Sequence, residues 1–495
     1  MSLSSAASVA RSGLNAVAAE TSALSRNISG TGDTAIYSRK IANVVSTLHG
    51  SQVASVTRAS SRAVFENVLS ATSAFATQDA ISAGLDALNR TIGDVASSDA
   101  DATSSASSPA ALLSQFTNAL QLYQASPGNS TLAGGAVSAA KALAGGLNSA
   151  AATISYVREQ ADSDMAASIQ TINSLLVQFK TANTAIVYGT AIGADTTDAQ
   201  DQRDNILTQL AQEVGIATTV GANSDMSIYT DSGVTLFQGG IARAVTFAAT
   251  NVYTAAAVGN AVYVDGVAVT GGAAPMPIAT GALAGFAALR DDLSVTYQAQ
   301  LDALAEALIN VFTESDQVGS GPSLPGLFTT AGATSLPANI NGLAAQVMVN
   351  ASVDPNQGGD ANLLRDGGIS DPGNLDYLFN ASGDASYGER LSQLLDNLSA
   401  TRTFGTAGGI ATNVSLSDYA SGSASWLEAA RARVSSQGAY QDALLSTATT
   451  ALSNATGVNL DDEMSKMLDL EQSYSASAKL IATIDGMFQA LLTAI

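Results

Sequence analysis

Apolar side chains recur along the first 28 residues at alternating steps of four and three. Leu3, Ala7, Ala10, Leu14, Val17, Thr21, Leu24 and Ile28 fall on one helical stripe, all apolar except Thr21. Gly30 and Gly32 end the pattern, since glycine is poor inside a helix and suited to the position just after one. The far end repeats the device: Leu460, Glu463, Met467, Leu470, Tyr474, Ser477, Ile481, Ile484, Phe488 and Leu491 alternate three and four steps without a break. Such a repeat keeps a stripe facing one partner over many turns, so both ends read as coiled-coil seams. Each end is the most readily available partner for the other.

Between them, residues 136–188 carry Leu143, Leu147, Ile154, Val157, Ala161, Met165, Ile169, Ile172, Leu176 and Phe179 at the same spacing, which predicts a rod of roughly 80 Å at 1.5 Å per residue. Further helices are predicted over about 60–95, 110–124, 198–213, 282–313 and 424–454, and the stretches "SSDADATSSASSP" (97–109) and "SPGNST" (126–131) read as loops. The texture changes at residue 214. From there to about 280 the pattern alternates around turn dipeptides, and Asp265-Gly266 between Val262, Val264 and Val267, Val269 signals a hairpin. Residues 319–416 are dense in Gly, Pro and Asn and predict short strands and loops.

The resulting expectation is a mainly α chain with an inserted β domain (α+β), drawn out as an elongated multidomain rod whose N- and C-terminal helices pair as a coiled coil. Its parts are a terminal helical unit (1–57 with 450–495), an α-helical rod (58–213 with 282–318 and 417–449), the β insert (214–281) and a mixed loop and β region (319–416).

Composition narrows the function classes. A chain of 495 residues has room for several domains of roughly 150 residues each. With 42 acidic against 20 basic residues its net charge of −22 opposes phosphate backbones and anionic surfaces, so neither nucleic acid nor membrane is an expected partner. Cysteine is absent, which removes disulfides, thiolate ligands and thiol nucleophiles. No run approaches the roughly 18 consecutive apolar residues of a membrane span. The start, "MSLSSAASVARSGLNAV", interrupts its apolar residues with Ser and Arg11 and reads as part of the mature chain, not as a cleaved leader.

Candidate chemistry is sparse. The single histidine, His49, has no catalytic or ligand motif beside it, and no nucleophile-elbow, zinc or phosphate-binding motif occurs, so no catalytic residue, metal or cofactor is expected. Asp195, Asp198, Asp201 and Asp204 stand three apart and read as a helix start, where carboxylates favour the dipole and cap free amides. "VDPNQGGD" (353–360) lacks the full calcium-loop spacing and reads as a turn; Trp426, the sole tryptophan, reads as a core or interface anchor. The terminal stripes could close an ordinary monomer. Ala and Ser dominate the first, however, so it buries little area with one partner, and small residues admit close approach from several sides. A repeated assembly fits them better than a single partner.

These ends resemble the axial proteins of the bacterial flagellum. "NISGTGDTAIYSRK", with Asn27, Ile28, Tyr37, Ser38 and Arg39, is similar to the turn and Tyr-Ser-Arg of the hook-associated protein type 1 family, the hook–filament junction proteins. "DQRD" (Asp201, Gln202, Arg203, Asp204), followed by Leu207, Leu210 and "VGI", resembles the motif ahead of that family's β insert. The stretch "GALAGFAALRDDLSVTYQAQLDALAEALIN", with Arg290, Asp291, Tyr297, Leu301 and Asp302, resembles its return helix, and the segment from Gly457 onward resembles the shared axial C-terminus. The turn departs from the pattern in its length, in a missing second Asn and in Ala35-Ile36, where Pro-Gly is usual. Flagellin fits less well, as does a hook or rod protein, which typically has Tyr-Gly-Phe in place of Tyr-Ser-Arg.

The resemblance implies a structural role: export by the flagellar type III apparatus without a cleaved signal, an extracellular place in the flagellum, and assembly as a ring that joins hook to filament. Implied partners are copies of the chain, the hook protein, a second junction protein and an export chaperone at the C-terminal helix. The expected assembly seam is Leu3, Leu14, Val17, Leu24, Ile28, Met467, Leu470, Tyr474, Ile481, Ile484, Phe488 and Leu491. Competing readings are another axial protein, or an exported surface-binding protein acting through the β insert.

Overall fold

The computed structural model describes residues 3–31, 37–47, 50–92, 107–250 and 252–493. His49, the Ala35-Ile36 dipeptide and most of the serine-rich 97–109 stretch lie outside the described residues.

One long helix organises the molecule. α4 (Ser130–Ile192) runs 63 residues, longer at both ends than the periodicity predicts, and at 1.5 Å per residue spans about 95 Å. Asn129 starts it by accepting from the amides of Thr131 and Leu132, and Gly193 ends it in the left-handed conformation. Its apolar stripe is buried throughout, but against two different partners. The N-terminal half, from Ala133 to Ala161, shares a core with α2 (Arg62–Asn89), α3 (Pro109–Ala125) and α7 (Ser294–Val311). The C-terminal half, from Met165 to Ala182, shares a second core with α5 (Thr197–Glu213) and the β insert. α10 (Leu416–Thr456) packs along α2 and reaches eight residues further back than predicted.

The β insert forms two small antiparallel sheets. One is four-stranded in sequence order: β3 (Ile216–Val220), β4 (Met226–Thr230), β5 (Thr235–Gln238) and β6 (Ile241–Ala242). The other joins β7 (Val245–Thr246), β8 (Tyr263–Val264) and β9 (Val267–Ala268). The predicted hairpin is there, with both Asp265 (φ 50°) and Gly266 (φ 82°) in the positive-φ region that a tight two-residue turn requires.

α6 (Ala282–Ala288) passes into α7 through a π-helical turn, Leu289–Leu293, which breaks the single 282–313 helix the pattern predicts. The wider turn delivers Arg290 to the interior, fully buried. Its Nη1 pairs with Asp162 of α4 at 2.5 Å, and Nε and Nη2 bind Asp291 at 2.9 and 2.8 Å. Arg158 donates to the carbonyls of Arg290, Thr254 and Ala257, and the Tyr253 hydroxyl donates to Asp162 at 2.7 Å. The loop beyond β7 is thereby fastened to α4. A Cβ at Gly259 would stand 2.3 Å from the Arg290 guanidinium, so only glycine fits there.

Residues 319–416 contain strand pairs two residues long, short 3₁₀ turns, α8 (Leu363–Asp366) and an unpredicted helix, α9 (Glu389–Ser399). They contribute Phe328, Val353, Leu364, Leu391 and Phe404 to the core of α3, α4 and α7. Asp302 of α7 accepts from the amides of Gly342 and Ala344, and buried Glu314 pairs with Arg390 at 3.1 Å. Asp354 caps the turn Pro355–Gln357 and pairs with Lys141, in keeping with the turn the sequence predicts. Trp426 packs on the same core, stacked near Tyr297.

The terminal unit, expected to be helical over 1–57, also holds a β-hairpin. β1 (Lys40–Thr47) pairs with β2 (Gly50–Arg58), from Lys40 opposite Arg58 to Thr47 opposite Gly50. α1 (Leu3–Gly30) packs on this hairpin and against α11 (Leu460–Thr493). No described helix is long and apolar enough to cross a membrane.

Candidate functional site

Both chain ends meet at one corner. α1 and α11 run antiparallel: a Cβ at Gly13 would lie 3.9 Å from Ser477 Oγ, and the Asn27 amide donates to Glu463 Oε2 at 2.8 Å. Asn27 also donates to the Lys40 carbonyl at 3.0 Å and accepts from the Lys40 amide at 2.7 Å, which ties α1, β1 and α11 together. The hydroxyl of Tyr37 donates to Asn27 Oδ1 at 3.4 Å, and Lys40 Nζ sits over the Tyr37 ring. Burial pushes the Tyr37 hydroxyl up to about 12, so it stays a proton donor at neutral pH.

Beneath this corner the start of α5 presents its acidic run. Arg26 of α1 pairs with Asp195 at 2.8 Å and Asp198 at 2.7 Å. Lys40 of β1, its side chain fully buried, reaches Asp198 at 3.0 Å and also pairs with Asp201. Arg58 of β2 holds Asp201 at 2.8 Å and Asp204 at 2.5 Å. The expectation that these carboxylates cap their own helix is therefore corrected. Asp195 does accept from the Thr197 amide, but the run as a whole fastens α1, β1 and β2 onto the rod. Burial works against the charge on Asp195 and Asp198, yet the bonds from Arg26 and Lys40 outweigh it and hold both below the usual carboxylate range. Burial likewise opposes the Arg58 charge, and Asp204 and Asp201 lift it above its ordinary value all the same.

The motif residues named from sequence do not all converge. Ser38 is buried, and the Arg39 amide donates to the carbonyl of Thr456 at the end of α10. Asp201 and Asp204 join the charged corner, whereas Gln202 faces solvent. Arg203 points the other way, to Asn183 Oδ1 at 3.0 Å and the Ser224 carbonyl at 2.8 Å, and burial lowers its pKa. Arg26, Lys40 and Arg58 carry no local pattern that marks them. The only signal they leave in the sequence is the unusual row of carboxylates they neutralise.

The seam residues divide by exposure. Val17, Leu24 and Ile484 are buried; Leu3, Leu14, Ile28, Leu470, Ile481 and Phe488 are half-buried; Met467, Tyr474 and Leu491 are about half exposed, at 46, 51 and 52%. Of the 34 residues of α11, only Glu463 and Ile484 are buried in the single chain. Moreover, Met464, Leu468, Leu480, Met487 and Leu492 are exposed apolar residues off the 3-4 stripe. A helix apolar on several faces exposes more apolar surface than one partner covers, and here α1 packs along one side of it. Between α1, β1 and α11 lies a groove of about 320 Å³ lined by Leu24, Ile41, Leu470 and charged residues including Glu20 and Lys466. Among the described residues no group of three or more His, Asp or Glu is arranged to hold a metal ion.

Comparison with known proteins bears on this corner and on the rod. The model of the flagellar hook-associated protein FlgK helical domain matches residues 71–323, just over half of the chain. The model of the flagellar basal body rod FlgEFG protein C-terminal region matches residues 451–494, which include all of α11. A solved structure of the flagellar hook junction protein FlgK from Burkholderia pseudomallei is similar at 22% identity and a TM-score of 0.42, covering 54% of this chain and 47% of that one. The chain thus spans about half the length of that protein. Among curated proteins no match is found. With its helical rod and C-terminal helix both matched by flagellar axial families, the chain belongs to the FlgK family of flagellar hook-associated proteins.

Proposed function

We propose that the chain is a structural subunit of the flagellum that joins hook to filament, assembling with copies of itself through α1 and α11. One observation carries this reading: α11 keeps apolar residues on several faces, and 32 of its 34 residues are not buried in a single chain. Neighbouring terminal helices in a tube wall would supply the missing cover, and the ordering cost of long helices would be offset by burial in the polymer. The Ala, Gly and Ser content of α1 allows those neighbours to approach closely.

On this reading the partners are other copies in a ring, the hook protein on one side and a second junction protein on the other. The same apolar α11 surface suits an export chaperone before assembly, and export proceeds by the flagellar type III route to the outside of the cell. No chemistry is assigned to the chain. On this reading the β insert, packed on the C-terminal half of α4, lies on the outer surface.

The test is a deletion of the gene, with cells examined by electron microscopy and the medium assayed for flagellin. Complete hooks without filaments, together with unpolymerised flagellin outside, are expected. Normal filaments would reject the junction role, and missing hooks would move the protein to the hook or rod.

A further inference from the structure

We propose that Asn27 and Glu463 are a register lock: positioning residues that select one alignment of α1 against α11 among several that the apolar stripes accept. Both are almost fully buried, at 1 and 2% exposure, beside buried small and apolar side chains such as Ala10, Ala16, Val17, Leu24 and Ile484, with the charged Glu20 and Lys466 at the adjoining groove. Each is also satisfied. Asn27 gives its amide hydrogens to Glu463 and the Lys40 carbonyl and accepts the Lys40 amide, while Glu463 Oε1 accepts from Lys466 at 2.9 Å.

The alignment can be read at two points. Asn27 faces Glu463 and Gly13 faces Ser477, so a step of fourteen residues along one helix matches fourteen along the other in the opposite direction. Stripes that repeat every seven residues with small side chains fit nearly as well after a one-heptad shift, because each apolar position is replaced by an equivalent one. The buried polar pair does not shift so well. A displacement of seven residues, about 10 Å, carries Asn27 to Leu470 in one direction and Glu463 to Glu20 in the other. The first leaves an apolar side chain against the amide, and the second sets two carboxylates together. A single polar position buried in a seam is the best-attested way to specify register, at a cost in stability. Lys40 extends the lock: its backbone holds Asn27 while its ammonium pairs with Asp201, so the alignment is referred to the rod. The inference concerns pairing within one chain and stands or falls separately from the assembly reading.

The chain has no cysteine, so an introduced pair reports without background. In the full-length protein, Gly13→Cys is combined with Ser477→Cys for the observed register, or with Leu470→Cys or Ile484→Cys for a heptad shift either way. The shifted pairs are about 10 Å out of line, beyond disulfide reach. After copper-phenanthroline oxidation, intact mass and peptide mapping give the yield of each bridge. The 13–477 bridge is expected to dominate in the parent by about tenfold or more, and Glu463→Leu is expected to raise a shifted bridge to at least comparable yield. Glu463→Gln keeps an acceptor for Asn27 and is expected to restore the 13–477 preference. Persistence of that preference in Glu463→Leu would overturn the lock, as would comparable bridging of all three pairs in the parent or no 13–477 bridge there. Loss of every bridge in Glu463→Leu would mark the pair as merely stabilising and would overturn it too.

Discussion

Arg58 shows how much of the terminal corner rests on single side chains. Its guanidinium is only 9% exposed and neutralises Asp201 and Asp204, both largely buried, so removing it strands charge in a poorly solvated place. Arg58→Met is expected to destabilise the terminal unit by about 3 kcal/mol, the loss usual for breaking a buried pair, read by urea unfolding under circular dichroism. Arg26 lies further out, and its partner Asp198 is mostly exposed, so solvent screens the pair and its worth stays below about 1 kcal/mol. Its pH dependence is nonetheless diagnostic. Asp195 and Asp198 are depressed in the folded chain, so their contribution is fully present above the ordinary carboxylate value of about 3.9 and is lost as pH falls through the lower folded values. Amide exchange of α1, corrected for the intrinsic rate, is therefore expected to be faster in Arg26→Gln than in the parent at pH 6, with the difference shrinking as pH falls below the ordinary carboxylate value.

At the scale of elements, periodicity located α1, α4, α5 and α11 because a stripe at 3-4 spacing is a local property of the chain. It could not tell which side of α11 is covered. Leu468 and Met487 lie off the stripe, are exposed in the single chain at 61 and 53%, and make the helix apolar on more than one face. Leu468→Asp is expected to leave the unfolding free energy within about 0.5 kcal/mol, as for other surface changes, yet to abolish incorporation into flagella. Immunoblots of purified filaments beside melts of the free protein check both halves. Wild-type incorporation of this variant would remove the surrounded-helix argument. The hairpin β1–β2 escaped because its alternating residues are mostly small or polar and its strands face α1 along only one side. α9 escaped for another reason: eleven residues inside a Gly- and Pro-rich region give only a short periodic signal.

The whole molecule is a spine with two cores. Phe116 of α3, fully buried, meets Phe312 at 5.4 Å and Phe328 at 5.6 Å, so one ring joins α3, the end of α7 and the 319–416 region. Phe116→Ala is expected to cost about 3–5 kcal/mol and to open that region to limited proteolysis before the rod itself yields. Cleavage confined to the β insert would show the region to be held by other contacts. On the other side of Ala161 the C-terminal half of α4 has a separate core with the insert, and the Arg290–Asp162 pair sits near the boundary between the two.

By itself the sequence determined the elements whose signal is local: the terminal stripes, the long helix with its ten apolar positions, the Asp265-Gly266 turn and the absence of any thiol or clustered histidine chemistry. The family motifs also stood in it as contiguous words. Only the tertiary structure decided where Asp195, Asp198, Asp201 and Asp204 direct their charge, because Arg26, Lys40 and Arg58 lie roughly 140 to 170 residues away along the chain. It alone decided that Arg290 turns inward and that Glu463, one polar residue in an apolar stripe, finds Asn27 across 436 residues. Helical periodicity is written within a few turns of backbone, whereas the pairing of buried charges is a property of whichever distant segments the packing of apolar surfaces brings together.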